Sequence, residues 1–351
     1  MDTIIRKITD NEDNNETIIK TAADIIARGG LVAFPTETVY GLGGDAFDVE
    51  ASAKIYAAKG RPSDNPLIVH IASVDDIYRL SDNVPEKALL LAKEFWPGPL
   101  TIIVEKKDCV PDTVTGGLNT VAVRLPSHKV ARDIIKASGT FVAAPSANLS
   151  GRPSPTKAEH VIEDLAGRVD MIIDDGDIEI GLESTIVDLT EEIPVILRPG
   201  YITMEMLEEV VGEVRLDKAL MTGVGKDVAP KAPGMKYRHY APKAELTIIE
   251  GNRDKVINRI NSFVEESRQK NLKTGVMLTS ENYDKIDADV KISLGSGECD
   301  EEIARNLFAS LRKFDETGVD VIYSEGFSDN GLGQAVMNRL LKAAGHRVIK
   351  V

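Results

Sequence analysis

The chain has 351 residues, 42% of them hydrophobic and 28% charged, with 42 Lys and Arg against 56 Asp and Glu and a net charge of −14. This length exceeds the roughly 250–300 residues at which one hydrophobic core stops growing, so two domains are expected. The composition is that of a folded globular chain, and the acidic surplus is the opposite of what neutralising nucleic-acid phosphates requires.

In chain order, Thr17–Arg28 reads as a helix with an apolar stripe of Ile18, Ala22, Ile25 and Ile26, stopped by Gly29-Gly30. Leu31–Phe34 is a short buried strand, and Pro35-Thr36-Glu37-Thr38-Val39-Tyr40-Gly41-Leu42 follows as an ordered loop. A helix over Glu50–Ala58 ends at Gly60, and Leu67–Ile71 is a strand. Helices near Asp75–Leu80 and Glu86–Phe95 precede a strand over Leu100–Glu105. Next come strand Val121–Leu125, helix Lys129–Ala137 and strand Phe141–Ala144. Helix Lys157–Ala166, strands Met171–Ile173, Thr185–Leu189 and Val195–Arg198, and helix Met204–Val211 complete this region. Strands that do not alternate with helices point to a mixed α/β, partly antiparallel, twisted sheet.

From Gly212 to Lys243 the pattern breaks. The cluster Ala229-Pro230-Lys231-Ala232-Pro233-Gly234 leads into Met235-Lys236-Tyr237-Arg238-His239-Tyr240-Ala241-Pro242. Such a long linker, with two tyrosines, a histidine, an arginine and a lysine in close succession, is expected to fold back on a site. From Ala244 onward strands at Leu246–Glu250, Gly275–Leu278, Val290–Leu294, Val319–Tyr323 and Val348–Val351 alternate with helices at Lys255–Gln269, Glu301–Thr317 and Gln334–Ala344. That pattern implies a smaller, mostly parallel, Rossmann-like three-layer C-terminal domain. No G-x-G-x-x-G follows its first strand, which argues against a dinucleotide there.

The chain contains no P-loop, no H-E-x-x-H, no G-x-S-x-G and no kinase signature set. Its two cysteines, Cys109 and Cys299, offer neither zinc spacing nor a disulfide framework, so reduced thiols and a cytoplasmic location are expected. The N-terminal residues lack the apolar run of a signal peptide, and no apolar stretch is long enough to span a bilayer. Asp174-Asp175-Gly176-Asp177 reads as a solvated turn before it reads as a cation site.

The remaining candidates are polar residues at element ends. Lys59-Gly60-Arg61 puts two cations on one side of a turn, followed by Pro62-Ser63-Asp64-Asn65-Pro66. Such a pair can grip phosphate or carboxylate, or cap the helix C-terminus. Ser146-Ala147-Asn148 follows a strand, where ligands of α/β sheets gather, although an ordinary turn or helix cap fits as well. Thr120 and Arg124 bracket another strand, and a buried Arg124 requires a carboxylate ligand or an acidic neighbour. Glu183-Ser184-Thr185 and Arg198-Pro199-Gly200 add polar groups at strand edges.

Taken together, the string Phe34–Leu42, then Lys59-Gly60-Arg61, then Ser146-Ala147-Asn148 resembles the YrdC family of threonylcarbamoyl-AMP synthases, over residues about 12 to 212. The linker and the C-terminal domain resemble the longer, two-domain members. This likeness divides the chain into a YrdC-like catalytic domain (12–212), a linker folding over the active site (213–243) and a Rossmann-like domain (244–351). It implies an ATP-consuming nucleotidyltransferase that joins L-threonine, bicarbonate and ATP into threonylcarbamoyl-AMP and pyrophosphate, with Mg2+ carried on the ATP phosphates. It also implies that the product passes to a tRNA threonylcarbamoyltransferase, with no stable nucleic-acid binding and no membrane. By this likeness Lys59, Arg61, Ser146 and Asn148 are the catalytic set. Arg61, Asn65, Thr120, Ser146, Ser154, Arg198 and Tyr237 are ATP contacts. Thr38, His70, Arg124 and Ser184 are threonine contacts, and Tyr237, His239 and Tyr240 form a lid. Two other readings are weighed against it. The carbamoyl-transfer maturation factor of nickel–iron hydrogenases contains a related domain, but its zinc fingers need more than two cysteines. An RNA-binding module with a basic concave face is opposed by the net charge of −14.

Overall fold

The computed structural model describes residues 2–222, 230–233, 239–328 and 330–351. They form two compact units. One holds the chain up to Ser150, Ser154–Glu179 and the stretch from Glu183 into the linker; the other gathers Gly151–Pro153, Ile180–Leu182 and the chain from His239 onward.

Strands of the first unit are β1 (Ile4–Lys7), β2 (Val32–Phe34), β3 (Gly41–Asp45), β4 (Ile68–His70), β5 (Leu100–Glu105), β6 (Thr120–Arg124), β7 (Val142–Ala143), β8 (Met171–Asp174), β9 (Thr185–Asp188), β10 (Val195–Arg198) and β11 (Arg215–Leu216). Among the described residues they make one mixed sheet in the order β1-β8-β2-β3-β7-β4-β6-β5-β9-β10-β11. Neighbouring side chains of a strand serve opposite faces, as a period of two demands. Val32 and Phe34 enter one core and Ala33 the other; Met171 and Ile173 oppose Ile172; Val142 opposes Ala143. The helices Glu12–Ala27 and Lys129–Ser138 cover the first of these faces, burying Ile18, Ala22, Ile26, Val130, Ala131 and Ile134 there.

Several elements depart from the sequence reading. The long helix begins at Glu12, not Thr17, because Asn11 caps it by accepting the Asn14 N–H at 3.1 Å; its polar first turn carries no apolar period. The stretch read as loop to Leu42 becomes strand at Gly41, and β3 is glycine-rich for a steric reason. A Cβ at Gly43 would stand 2.5 Å from Phe34 Cε1 and 2.6 Å from Val142 Cγ1. The strand β1, with all four side chains exposed, carries no alternation from which it could be expected.

The second unit holds five strands, β12 (Glu245–Glu250), β13 (Thr274–Leu278), β14 (Val290–Ser293), β15 (Val321–Glu325) and β16 (Val348–Lys350), all parallel in the order β14-β13-β15-β12-β16. Val276 packs with the helix Arg253–Gln269, whereas a Cβ on its neighbour Gly275 would meet Phe314 of the helix Asp300–Thr317 at 2.7 Å, so helices lie on both faces. The three-layer parallel arrangement is the expected one. Its strand order, third-second-fourth-first-fifth, exchanges the first and fourth positions of the doubly wound dinucleotide fold.

Gly43→Ala should lower the stability of the first unit by about 1–3 kcal/mol, because neither the Phe34 ring nor Val142 lies at the end of a flexible side chain. The shift in urea midpoint reads this directly, and an unchanged midpoint would contradict the packing described.

Candidate active site

The site starts from a backbone seam. Leu42 N–H donates to Pro145 O and Ala147 N–H to Tyr40 O, each at 2.8 Å, and Gly41 pairs across to Ser146. These bonds tie the Pro35–Leu42 segment to the turn that follows β7. Lys59 ends the helix Val49–Lys59, where Gly60 (φ 62°) provides the left-handed cap. Its side chain turns inward and is only 3% exposed. The ammonium donates to the carbonyls of Ser146 (2.5 Å) and Asn148 (2.6 Å) and reaches Asn148 Oδ1 at 3.4 Å. Ser146 Oγ also donates to Asn148 Oδ1, and Ser150 N–H to Lys59 O. Lys59, Ser146 and Asn148 are therefore one bonded unit, with the cation shaping the turn.

Strand register builds the second part. Val142, His70, Arg124, Thr101, Ile186 and Arg198 stand directly side by side across β7, β4, β6, β5, β9 and β10. Three of the expected site residues thus fall in one cross-strand row. Ile186 of this row, Leu197 beside Arg198, and Ile68, Ile103 and Ala122, each two residues along its strand from a member of the row, form a small apolar cluster that the linker residue Ala232 joins.

Arg124 is buried, and its partner is Glu37, whose Oε1 lies 2.7 Å from Nη2. The sequence reading names Glu37 only within its string. The signal was present: a buried arginine requires an acidic neighbour, and Glu37 lies in an ordered segment of small and apolar residues. Burial alone would raise the Glu37 carboxyl, but the Arg124 charge and nearby backbone N–H groups outweigh it and hold the group below its ordinary value. His70 Nδ1 lies 3.1 Å from Ile68 O. Burial and the adjacent Arg124 charge push this imidazole down to about 3, so it is neutral at physiological pH. Thr38 is fully buried, its hydroxyl 2.9 Å from that of Thr36.

Along the row, Ser184 Oγ lies 2.7 Å from Thr101 Oγ1, and Arg198 donates to both Ser184 O and Ser184 Oγ. Ser154 Oγ donates to Glu183 Oε1. Thr101 and Glu183 are further residues without a role in the sequence reading; each shows itself only once strand pairing is known. Arg61 bends over its own loop, donating to Pro66 O at 3.0 Å and, more weakly, to Asn65 O. Asn65 is buried, and its Oδ1 has no hydrogen-bond partner among the described residues. Thr120 opens β6 opposite Glu105, ~13 Å along the strand from Arg124, and so lies outside the row. His239 and Tyr240 belong to the second unit, where the Tyr240 ring stacks on Phe308 at 4.9 Å. Tyr237 lies outside the described residues. Among the described residues no group of three or more His, Cys, Asp or Glu side chains is placed to hold a metal ion, and no helix is long and apolar enough to cross a membrane.

Comparison with known proteins identifies the family. Residues 24–200 match the Sua5/YciO/YrdC family model, described as telomere recombination, and residues 202–345 match the model described as threonylcarbamoyl-AMP synthase, C-terminal domain. The chain belongs to the Sua5/YciO/YrdC family. It is 54% identical over 333 residues to the threonylcarbamoyl-AMP synthase of Pyrococcus abyssi, covering 95% of this chain and 96% of that protein. With the Bacillus subtilis threonylcarbamoyl-AMP synthase it shares 49% over 344 residues, covering 98% and 97%. The crystal structure of P. abyssi Sua5 complexed with L-threonine superposes with a TM-score of 0.93 at 51% identity, covering 100% of both chains. The mixed sheet followed by a second, parallel sheet is thus the two-domain form of the Sua5 family.

Neutral burial of His70 has a measurable consequence. Between about 3 and its ordinary 6.5, the unfolded chain binds a proton that the folded site refuses. Stability therefore falls as pH drops below 6.5, by up to about 1.4 kcal/mol per pH unit from this residue. Glu37 acts with the same sign, since its contribution is lost as pH falls through its depressed folded value. Urea unfolding of wild type and His70→Gln at pH 6.5 and 5 should give a shallower pH slope for the variant; parallel slopes would refute the assignment.

Proposed function

We propose that this chain is a threonylcarbamoyl-AMP synthase, whose site is the Lys59–Ser146–Asn148 turn together with the row through His70, Arg124 and Arg198. The observation that carries the reading is the Pro35–Leu42 segment, which pairs Glu37 with Arg124 of the row and is hydrogen-bonded to the Ser146 turn. One short segment thereby spans both groups.

In the proposed reaction the threonine amine adds to the carbon of bicarbonate, with loss of water, to give a carbamate. A carbamate oxygen attacks the α-phosphorus of ATP, the bond to the bridging oxygen breaks, and pyrophosphate leaves. Such chemistry demands positioning and charge neutralisation rather than a covalent nucleophile. Arg124 binds the threonine carboxylate, with Thr38, His70 and Ser184 around the amino acid. Arg61, Asn65, Thr120, Ser154 and Arg198 bind ATP, and the buried Asn65 Oδ1 is an acceptor suited to a donor on that ligand. Lys59 keeps Ser146 and Asn148 directed at the carbamate and α-phosphate. Mg2+ arrives on the ATP phosphates as part of the substrate. Tyr237, His239 and Tyr240 act as the lid that excludes water from the mixed anhydride; the packing of Ala232 on the face that carries the row supports a linker lying over it. The product passes to a tRNA threonylcarbamoyltransferase, and the enzyme works in the cytoplasm.

Radiolabelled bicarbonate should enter an adenylate only when L-threonine and ATP are both present, with equimolar pyrophosphate. Lys59→Ala and Arg61→Ala should each reduce this rate by at least about tenfold, the scale of one charge-assisted contact. Label incorporation without threonine, or wild-type rates in both variants, would overturn the assignment.

A further inference from the structure

Glu37 and Arg124 form a buried ion pair whose hydrogen bonding is incomplete. Arg124 Nη2 and Glu37 Oε1 are 2.7 Å apart, yet neither they nor Glu37 Oε2 have a well-aligned hydrogen bond among the described residues. The N–H groups of Glu37 and Ser127 are near enough to favour the carboxylate but do not reach hydrogen-bond geometry. Glu37 is 6% and Arg124 4% exposed. Removing two charges from water without filling their hydrogen-bonding capacity costs more than close packing there would, so stability gives no reason for this pair. A ligand does. An α-amino acid carries a carboxylate and an ammonium on one carbon, and a guanidinium beside a carboxylate is the charge complement of that zwitterion.

We propose that Glu37 binds the ammonium group of the amino-acid substrate and sets the preference of the site for α-amino acids over their hydroxy-acid analogues. Arg124 exchanges Glu37 for the substrate carboxylate, and Glu37, now relieved of its cation, takes the ammonium. The remaining neighbours fit this division. His70, next to Arg124 in the row, is neutral and repels neither end of the zwitterion. The hydroxyls of Thr36 and Thr38 flank Glu37 in sequence and are 2.9 Å apart. The proposal rests on the synthase reading above, since that reading puts an amino acid against Arg124.

Calorimetric binding of L-threonine and of its deaminated analogue (2S,3R)-2,3-dihydroxybutanoate to the full chain separates the possibilities. Wild type should prefer threonine by at least about tenfold, the worth of one charge-assisted hydrogen bond. Glu37→Gln should lose most of that preference by weakening threonine alone. In turnover its threonine KM should rise by a similar factor while the ATP KM stays within about twofold, and Glu37→Asp should recover part of the loss. If Glu37→Gln weakens both ligands equally, or raises the ATP KM as well, Glu37 only steadies Arg124 and the inference fails. Should that variant not fold, equal affinities of wild type for the two ligands would overturn the inference by themselves. A wild-type protein that makes no adenylate would overturn the synthase reading instead.

Discussion

The site depends on the backbone seam between Tyr40–Leu42 and Pro145–Ala147. It forms because β3 and β7 enter as antiparallel strands in the middle of a sheet whose flanking pairs β2–β8 and β4–β6 are parallel. A purely parallel arrangement would send these chain ends out toward covering helices. Here the segment leaving β2 doubles back into β3, and the segment leaving β7 runs beside it. Two glycine-tolerant backbones can approach where bulkier strands could not, which is why Phe34 and Val142 crowd the space a side chain on Gly43 would need.

Charge is then fixed by main-chain dipoles as much as by counter-ions. Lys59 leans on the carbonyls of Ser146 and Asn148 and Arg198 on that of Ser184, whereas Arg124 has the Glu37 carboxylate. A carbonyl orients a cation without cancelling its charge. A lysine and an arginine held in this way have their geometry already set, so little reorganisation remains when a phosphate or carboxylate arrives.

Much of this was legible in the sequence, but unevenly. Helices with a clean apolar stripe, such as Glu86–Phe95 and Met204–Val211, and strands of β-branched residues, such as Leu100–Glu105 and Val195–Arg198, sit where their periodicity puts them. Gly41–Asp45 escaped notice because its strand character comes from packing against Phe34 and Val142 rather than from its own residues. Likewise, Lys59, Arg124 and Ser146 could be singled out as polar groups at element ends. The need of Arg124 for an acidic neighbour was legible too, but which residue answers it was not, and Thr101 and Glu183 acquire their roles only through contacts with Ser184 and Ser154, far along the chain.

Register also orders the substrates in the proposed reaction. Along the row, Arg124 lies between His70 and Thr101, and beyond Thr101 comes Ile186 and then Arg198. Ser184 bridges that interval by bonding Thr101 on one side and Arg198 on the other. A carboxylate on Arg124 and a phosphate on Arg198 would therefore be held three strands apart, at ~4.8 Å per strand, with short hydroxyls and an apolar residue between them. That backbone separation of ~14 Å is about twice the distance from carboxylate carbon to phosphorus in an amino acid joined through one carbon to a phosphate, so the two guanidinium groups have to converge from their strands to hold one mixed anhydride, as Arg198 does in reaching across to Ser184.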